Sequence, residues 1–85
     1  MIKVDFGKDF NKEYKTVVER DPELKDTVPR IIKLFKNNPE DTRLRNHALR
    51  KKMKGKHAFS ITSDIRIVYE KIGKNTARFL AIGTQ

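Results

Sequence analysis

The apolar positions change period along the chain, and each period predicts an element. Ile2 and Val4 alternate with Lys3 and Asp5, which predicts a short strand. Phe6, Phe10, Tyr14 and Val17/Val18 then recur at helical spacing and form one stripe on a helix from about Lys8 to Arg20. Asp21-Pro22 breaks that helix. A second stripe, Val28, Ile31, Ile32 and Phe35, predicts another helix. Asp26 or Thr27 is its expected cap, with Pro29 in its first turn and Asn37-Asn38-Pro39 as its end. After Gly55 the period becomes two. Phe59 and Ile61 form a first strand, Ile65, Ile67 and Tyr69 a second, and Ala77, Phe79 and Ala81 a third. Ser63-Asp64 and Gly73-Lys74-Asn75 supply the turns between them. The order is strand, two helices and three antiparallel strands. It predicts an α+β domain over residues 1–85, a small sheet with both helices packed on one face. Phe6, Phe10, Phe35, Phe79 and Tyr69 are its expected core. Phe59 is assigned there too, although an aromatic beside a basic surface can also stack on a base.

Charge adds a second pattern. Residues 1–42 hold nine Lys/Arg and nine Asp/Glu. Residues 43–85 hold eleven and two, so the whole net charge of +9 lies in the second half. It is densest from Arg43 to His57, where seven Lys/Arg and two His stand without an acid. A single-sign field destabilises a compact fold by self-repulsion, so it points to a polyanionic partner. A solvated face kept for solubility is the bland alternative. A basic tail is the third, and Leu49, Met53, Phe59 and the strand pattern that follows argue against it. With no cysteine, disulfides, thiolate nucleophiles and Cys-ligated zinc are excluded. No apolar run reaches the roughly 18 residues of a membrane span. The charged N-terminus lacks a signal-peptide core, so a cytoplasmic domain with no membrane contact is expected.

Few residues offer chemistry. Two histidines ten residues apart in a half with few acids make a poor ligand set, so no metal and no cofactor are expected. There is no Gly-rich phosphate loop and no Ser/His/Asp arrangement. The informative constellation is basic: Arg43, Arg45, His47, Arg50, Lys51, Lys52, Lys54, Lys56 and His57 on the way into the sheet, with Arg66 and Arg78 on strands. Converging cations can hold a phosphodiester and offset charge that develops on it, and a histidine exchanges protons near neutral pH. These parts suit RNA cleavage by the neighbouring 2′-hydroxyl. Composition leaves that reaction and simple RNA or DNA binding both open. Structural roles stand beside the functional ones: an ordinary surface site for His47, an ion pair with Asp64 or Glu70 for Arg66, and a turn hydrogen bond for Asp64.

The second half also resembles a known family. Leu44-Arg45-Asn46-His47-Ala48-Leu49, then Met53-Lys54-Gly55, then Phe59 to Tyr69 with Asp64-Ile65-Arg66-Ile67-Val68-Tyr69, and Leu80-Ala81-Ile82-Gly83-Thr84 are similar to the RelE/ParE toxin superfamily, nearest its RelE, YoeB and YafQ branch. The match is close over residues 44–84 and is one of element order over residues 1–40. The resemblance implies a RelE-like fold and a toxin of a type II toxin–antitoxin pair. It implies a cognate antitoxin as partner, and operator DNA contact only through that antitoxin. Members of the RelE type enter the ribosomal A site and cleave mRNA there without metal. By position His47 would match the histidine that opens the catalytic motif, Asp64 the acid before the motif's arginine, and Arg66 that arginine. Lys51, Lys52 and Lys54 would grip RNA, while His57 has no motif counterpart. The family pattern runs on past Ile-Gly-Thr with a histidine and often a short tail ending in an aromatic residue. Here Gln85 stands at the histidine position and cannot act as acid or base, which is expected to weaken or abolish cleavage. Two other readings remain at this point: a ParE-like inhibitor of DNA gyrase, and a binding module without catalytic activity.

Overall fold

The computed structural model describes residues 1–84. Its sheet has five strands in the order β1-β5-β4-β3-β2. These are β1 (Lys3–Phe6), β2 (His47–Ala48), β3 (Lys56–Ser60), β4 (Ile65–Ile72) and β5 (Thr76–Thr84). β1 runs parallel to β5, and the other neighbours are antiparallel. Helices α1 (Phe10–Arg20) and α2 (Leu24–Asn37) form a hairpin between β1 and β2. The α+β order is the one that the periodicities predict.

Three details differ, each for a physical reason. α2 starts at Leu24, before the expected cap. Asp21 Oδ1 accepts the Glu23 N–H at 3.3 Å, and the Asp21, Pro22 and Glu23 carbonyls accept the next N–H groups. The early start buries Leu24 in the core, and it leaves Pro29 inside the helix rather than in its first turn. β2 has no sequence signal of its own, because two residues carry no period. Between β4 and β5, Val68 faces Ala81 and Tyr69 faces Phe79, so Leu80 is an extra residue. This bulge moves the buried series from Ala77 and Phe79 to Ile82, where strict alternation names Ala81.

The core is aromatic. Phe79 is fully buried, with its ring centroid 5.6 to 5.8 Å from those of Phe6, Phe10, Phe35 and Phe59. Phe35 of α2 stacks on Phe59 of β3 at 4.4 Å and meets Tyr69 of β4 edge-on at 4.9 Å. Both helices therefore sit on the face that carries Phe59, Ile67, Tyr69 and Phe79. Ala58 and Val68 are also buried, yet they stand outside this cluster, on the other face. Phe6, expected in the core, closes an edge strand and is half-exposed.

The chain enters α1 through a tight approach. Gly7 donates its N–H to the Phe79 carbonyl at 2.7 Å, and a Cβ on Gly7 would lie 2.8 Å from that oxygen. Gly83 has open space at the same position. In urea unfolding, Gly7→Ala is expected to cost about 1–3 kcal/mol. Gly83→Ala is expected to stay within about 0.5 kcal/mol of the parent or to stabilise slightly.

Candidate nucleic-acid interface

The strand register decides which basic residues meet. Cross-strand partners share a face. His47 pairs with Ala58, Ala58 with Val68, and Val68 with Ala81. The next row on that face is Ser60, Arg66 and Gly83. On the other side lie Lys56, Glu70 and Arg78, with Asp5 beyond. The face that no helix covers thus carries His47, Lys56, Arg66 and Arg78 around a floor of small residues. His57 falls on the opposite face. It pairs with Ala48 and Tyr69 and stacks on the Tyr69 ring at 5.4 Å. Burial, followed by the charges of Lys71 and His47, pushes the His57 pKa down.

Two of the cations are already matched. Arg43 donates to both carboxylate oxygens of Asp41, at 3.0 and 2.8 Å, and Asp41 also accepts the Arg43 backbone N–H. This holds the Asp41 pKa down at about 2 and raises that of Arg43. Arg78 lies between Asp5 at 3.1 Å and Glu70 at 3.5 Å. Glu70 is therefore engaged by Arg78 and not by Arg66. Arg45, Arg50, Lys51, Lys52, Lys54, Lys56 and Arg66 have no carboxylate partner among the described residues. They are the free charge of the site. Arg50, Lys51, Lys52 and Lys54 occupy the loop between β2 and β3, which contains one 3-10 turn at Lys51–Met53.

His47 itself is held from behind. A cleft of about 430 Å³ is lined by Arg43, Arg45, His47 and residues 60–63. The His47 Nδ1 lies 2.9 Å from the Arg45 carbonyl. A carbonyl only accepts, so Nδ1 carries the hydrogen and the neutral ring keeps its lone pair on Nε2. Arg45 is in the left-handed region, φ 50°, an uncommon place for a residue with a side chain. A bracket fixes this corner. Asn46 Oδ1 accepts the Tyr69 hydroxyl at 2.9 Å, and Asn46 Nδ2 donates to the Pro39 carbonyl at 3.0 Å. Burial raises the Tyr69 pKa, which keeps the hydroxyl a donor. Sequence alone reads Tyr69 only as core, and nothing local links it to Asn46, 23 residues away.

Asp64 is elsewhere. It lines a groove between α1 and β5, not the His47 cleft. The β3–β4 turn is closed by Thr62, whose Oγ1 accepts the N–H groups of Asp64 and Ile65 at 3.2 and 3.1 Å. Gln85 lies outside the described residues. Among the described residues no three His, Cys, Asp or Glu gather into a metal-sized cluster, and no helix is long and apolar enough to cross a membrane.

Comparison with known proteins adds a family. A family profile described as "Bacterial toxin of type II toxin-antitoxin system, YafQ" matches residues 2–85. No curated protein sequence matches. Among solved structures, YafQ from E. coli strain BL21(DE3) superposes with a TM-score of 0.80 at 22% identity, covering 100% of this chain and 94% of that one. A YoeB/ParE toxin from Agrobacterium tumefaciens gives 0.79 at 18% identity, covering 99% of both chains. The E. coli DinJ–YafQ complex gives 0.78 at 21% identity, covering 99% of this chain and 93% of that one. At these identities the structures share the fold.

The bracket behind His47 predicts a spectroscopic outcome. In ¹⁵N NMR above pH 8, the parent His47 is expected in the Nδ1–H form. Tyr69→Phe removes the hydrogen bond to Asn46, and Nε2–H is expected to become the larger population. An unchanged tautomer in Tyr69→Phe would show that the Arg45 carbonyl is held without the bracket.

Proposed function

The chain belongs to the YafQ family of bacterial type II toxins, and from that premise we propose that it is an endoribonuclease that cuts mRNA on the ribosome. The observation that carries the reading is His47. Its Nδ1–H is tied to the Arg45 carbonyl, and it lines a basic cleft beside the uncovered sheet face. Nε2 takes the proton of an RNA 2′-hydroxyl. The 2′-oxygen attacks the adjacent phosphorus, the bond to the 5′-oxygen breaks, and that oxygen takes a proton from water, while His47 returns the proton it took to solvent. The products are a 2′,3′-cyclic phosphate and a 5′-hydroxyl. Arg66, Lys56 and Arg45 offset the charge that builds on the non-bridging oxygens. The reaction needs proton transfer and charge offset only. Asp64 lies in the turn that precedes the Arg66 strand, a turn closed by the Thr62 hydroxyl. Arg50, Lys51, Lys52 and Lys54 grip the flanking backbone, while Arg43, Arg78 and His57 have structural partners and contribute least. As in the E. coli DinJ–YafQ complex, the toxin assembles with a cognate antitoxin.

Gln85 bears on the rate. It stands where the family resemblance places a histidine, and an amide neither gives nor takes a proton at neutral pH. The reaction then runs with one proton-transfer group where two would act.

The test is cleavage of a translated reporter mRNA by purified toxin and ribosomes. His47→Asn is expected to lower the rate by about 10²–10⁴-fold, and Gln85→His to raise it by about 10²-fold. No fragments from Gln85→His, or full activity in His47→Asn, would overturn the assignment. Inhibition of gyrase supercoiling without mRNA cleavage would replace it with the ParE-like reading.

A further inference from the structure

Strand β5 outlasts its neighbour. β1 pairs with it only from Lys3–Thr76 to Phe6–Phe79, and after Gly7 the chain turns away into α1. The last residues of β5 keep β4 on one side, where Arg66 faces Gly83 and Ile65 faces Thr84. On the other side the described residues provide no strand. A strand N–H at a buried residue there needs an acceptor from outside the sheet. Glu13 supplies it: its Oε1 accepts the Ile82 N–H at 3.1 Å, across 69 residues of sequence. Glu13 stands three residues after Phe10 and four before Val17, so it flanks the stripe of α1 that packs on the core. The extra residue at Leu80 puts Ile82, not Ala81, in the core, and the Ile82 N–H then points to the edge that β1 has left.

We propose that Glu13 is a positioning residue of the nucleic-acid face: its carboxylate takes the place of the missing strand and holds the end of β5 in register beside Arg66. For its consequence in catalysis the proposal rests on the nuclease reading. The end of a strand frays unless it is held on both sides. Here the hold matters because Gly83 completes the row of Ser60 and Arg66. A Cβ added at Gly83 would meet nothing within 4 Å, so there is open room along that row. The next residue in sequence is Gln85, the position at which the proposed reaction lacks a proton-transfer group. Glu13 lines a groove of about 670 Å³ between α1 and β5, which shares only Thr62 with the lining of the His47 cleft. It therefore acts on the site through the strand and not by contact. A carboxylate in the first turn of α1 is also favoured by the helix dipole. That role needs the charge and is indifferent to reach. The hydrogen bond needs an oxygen at the reach of a Glu or Gln side chain and is indifferent to charge.

The experiment separates reach from charge in the full chain. Glu13→Gln keeps an accepting oxygen at the same reach, Glu13→Asp keeps the charge one methylene short, and Glu13→Ala removes both. Exchange of the Ile82 amide, followed by ¹⁵N NMR, is expected to stay within about threefold of the parent in Glu13→Gln. It is expected to quicken about tenfold or more in Glu13→Asp and Glu13→Ala. Each variant is then combined with Gln85→His and assayed on translated mRNA. The roughly 10²-fold gain from Gln85→His in the parent is expected to survive in Glu13→Gln and to fall below about tenfold in Glu13→Asp and Glu13→Ala. A loss of folded protein lowers the rates with and without Gln85→His alike and leaves the gain unchanged, so it cannot imitate this result. Glu13→Gln and Glu13→Asp decide the matter on their own where Glu13→Ala does not fold. Parent-like behaviour of Glu13→Asp beside loss in Glu13→Gln would assign Glu13 to the helix dipole and overturn the proposal. An unaltered Ile82 amide or an unaltered gain in Glu13→Ala would overturn it too. Absence of mRNA fragments from the Gln85→His protein counts against the nuclease reading alone, and the amide exchange still decides whether Glu13 holds the strand.

Discussion

The burial of Phe79 is the constraint on which the rest of the structure depends. Its ring touches aromatic side chains from β1, α1, α2, β3 and β4, so one side chain ties every layer of the domain together. Burying a phenylalanine contributes about 1.5–3 kcal/mol, and each well-placed aromatic pair adds about 0.5–1.5 kcal/mol. A chain of this size has few other sources of stability to set against a charge of +9. The Gly7 N–H on the Phe79 carbonyl and the Leu80 bulge just beyond it show how closely the backbone is shaped around this residue.

Because the aromatic cluster draws both helices to one face, the other face stays uncovered. That asymmetry is what turns a basic sequence into a site. The rows set by His47, Arg66 and Lys56 lie together only because β2, β3 and β4 pair in one register. The unmatched cations repel one another, and the core offsets that repulsion. Arg43 and Arg78 show the contrast. Arg43 is held by its near neighbour Asp41, and Arg78 is held across the sheet by Asp5 and Glu70.

Most of the architecture was legible because it rests on period: two helical stripes and three alternating strands. The exceptions were set by tertiary packing. Leu80 fits an alternating pattern, so nothing local marks it as the bulged residue. Leu24 stands four residues before Val28 and continues the Val28–Phe35 stripe by one turn, a signal hidden by reading Asp26 or Thr27 as the cap. Phe6 looks like core until its edge position is known. At the site, the basic block was visible in composition, and a likeness to known toxins pointed to His47. Its arrangement was not visible. His47 and His57 are ten residues apart, and only the pairing with Ala58 and with Ala48 sends them to opposite faces. The Arg78–Asp5 contact spans 73 residues and left no trace in the local sequence. The Asp41–Arg43 pair, two residues apart, could have been read as a local ion pair.

The central claim is that the unmatched cations grasp a polynucleotide backbone together. Its most direct measurement is the salt dependence of single-stranded RNA binding by the His47→Asn protein, which removes turnover and keeps the charge. If about five phosphates are held, log K should fall with log salt at a slope of about −3.5. Binding that is indifferent to salt would mean that the uncovered face does not hold phosphates.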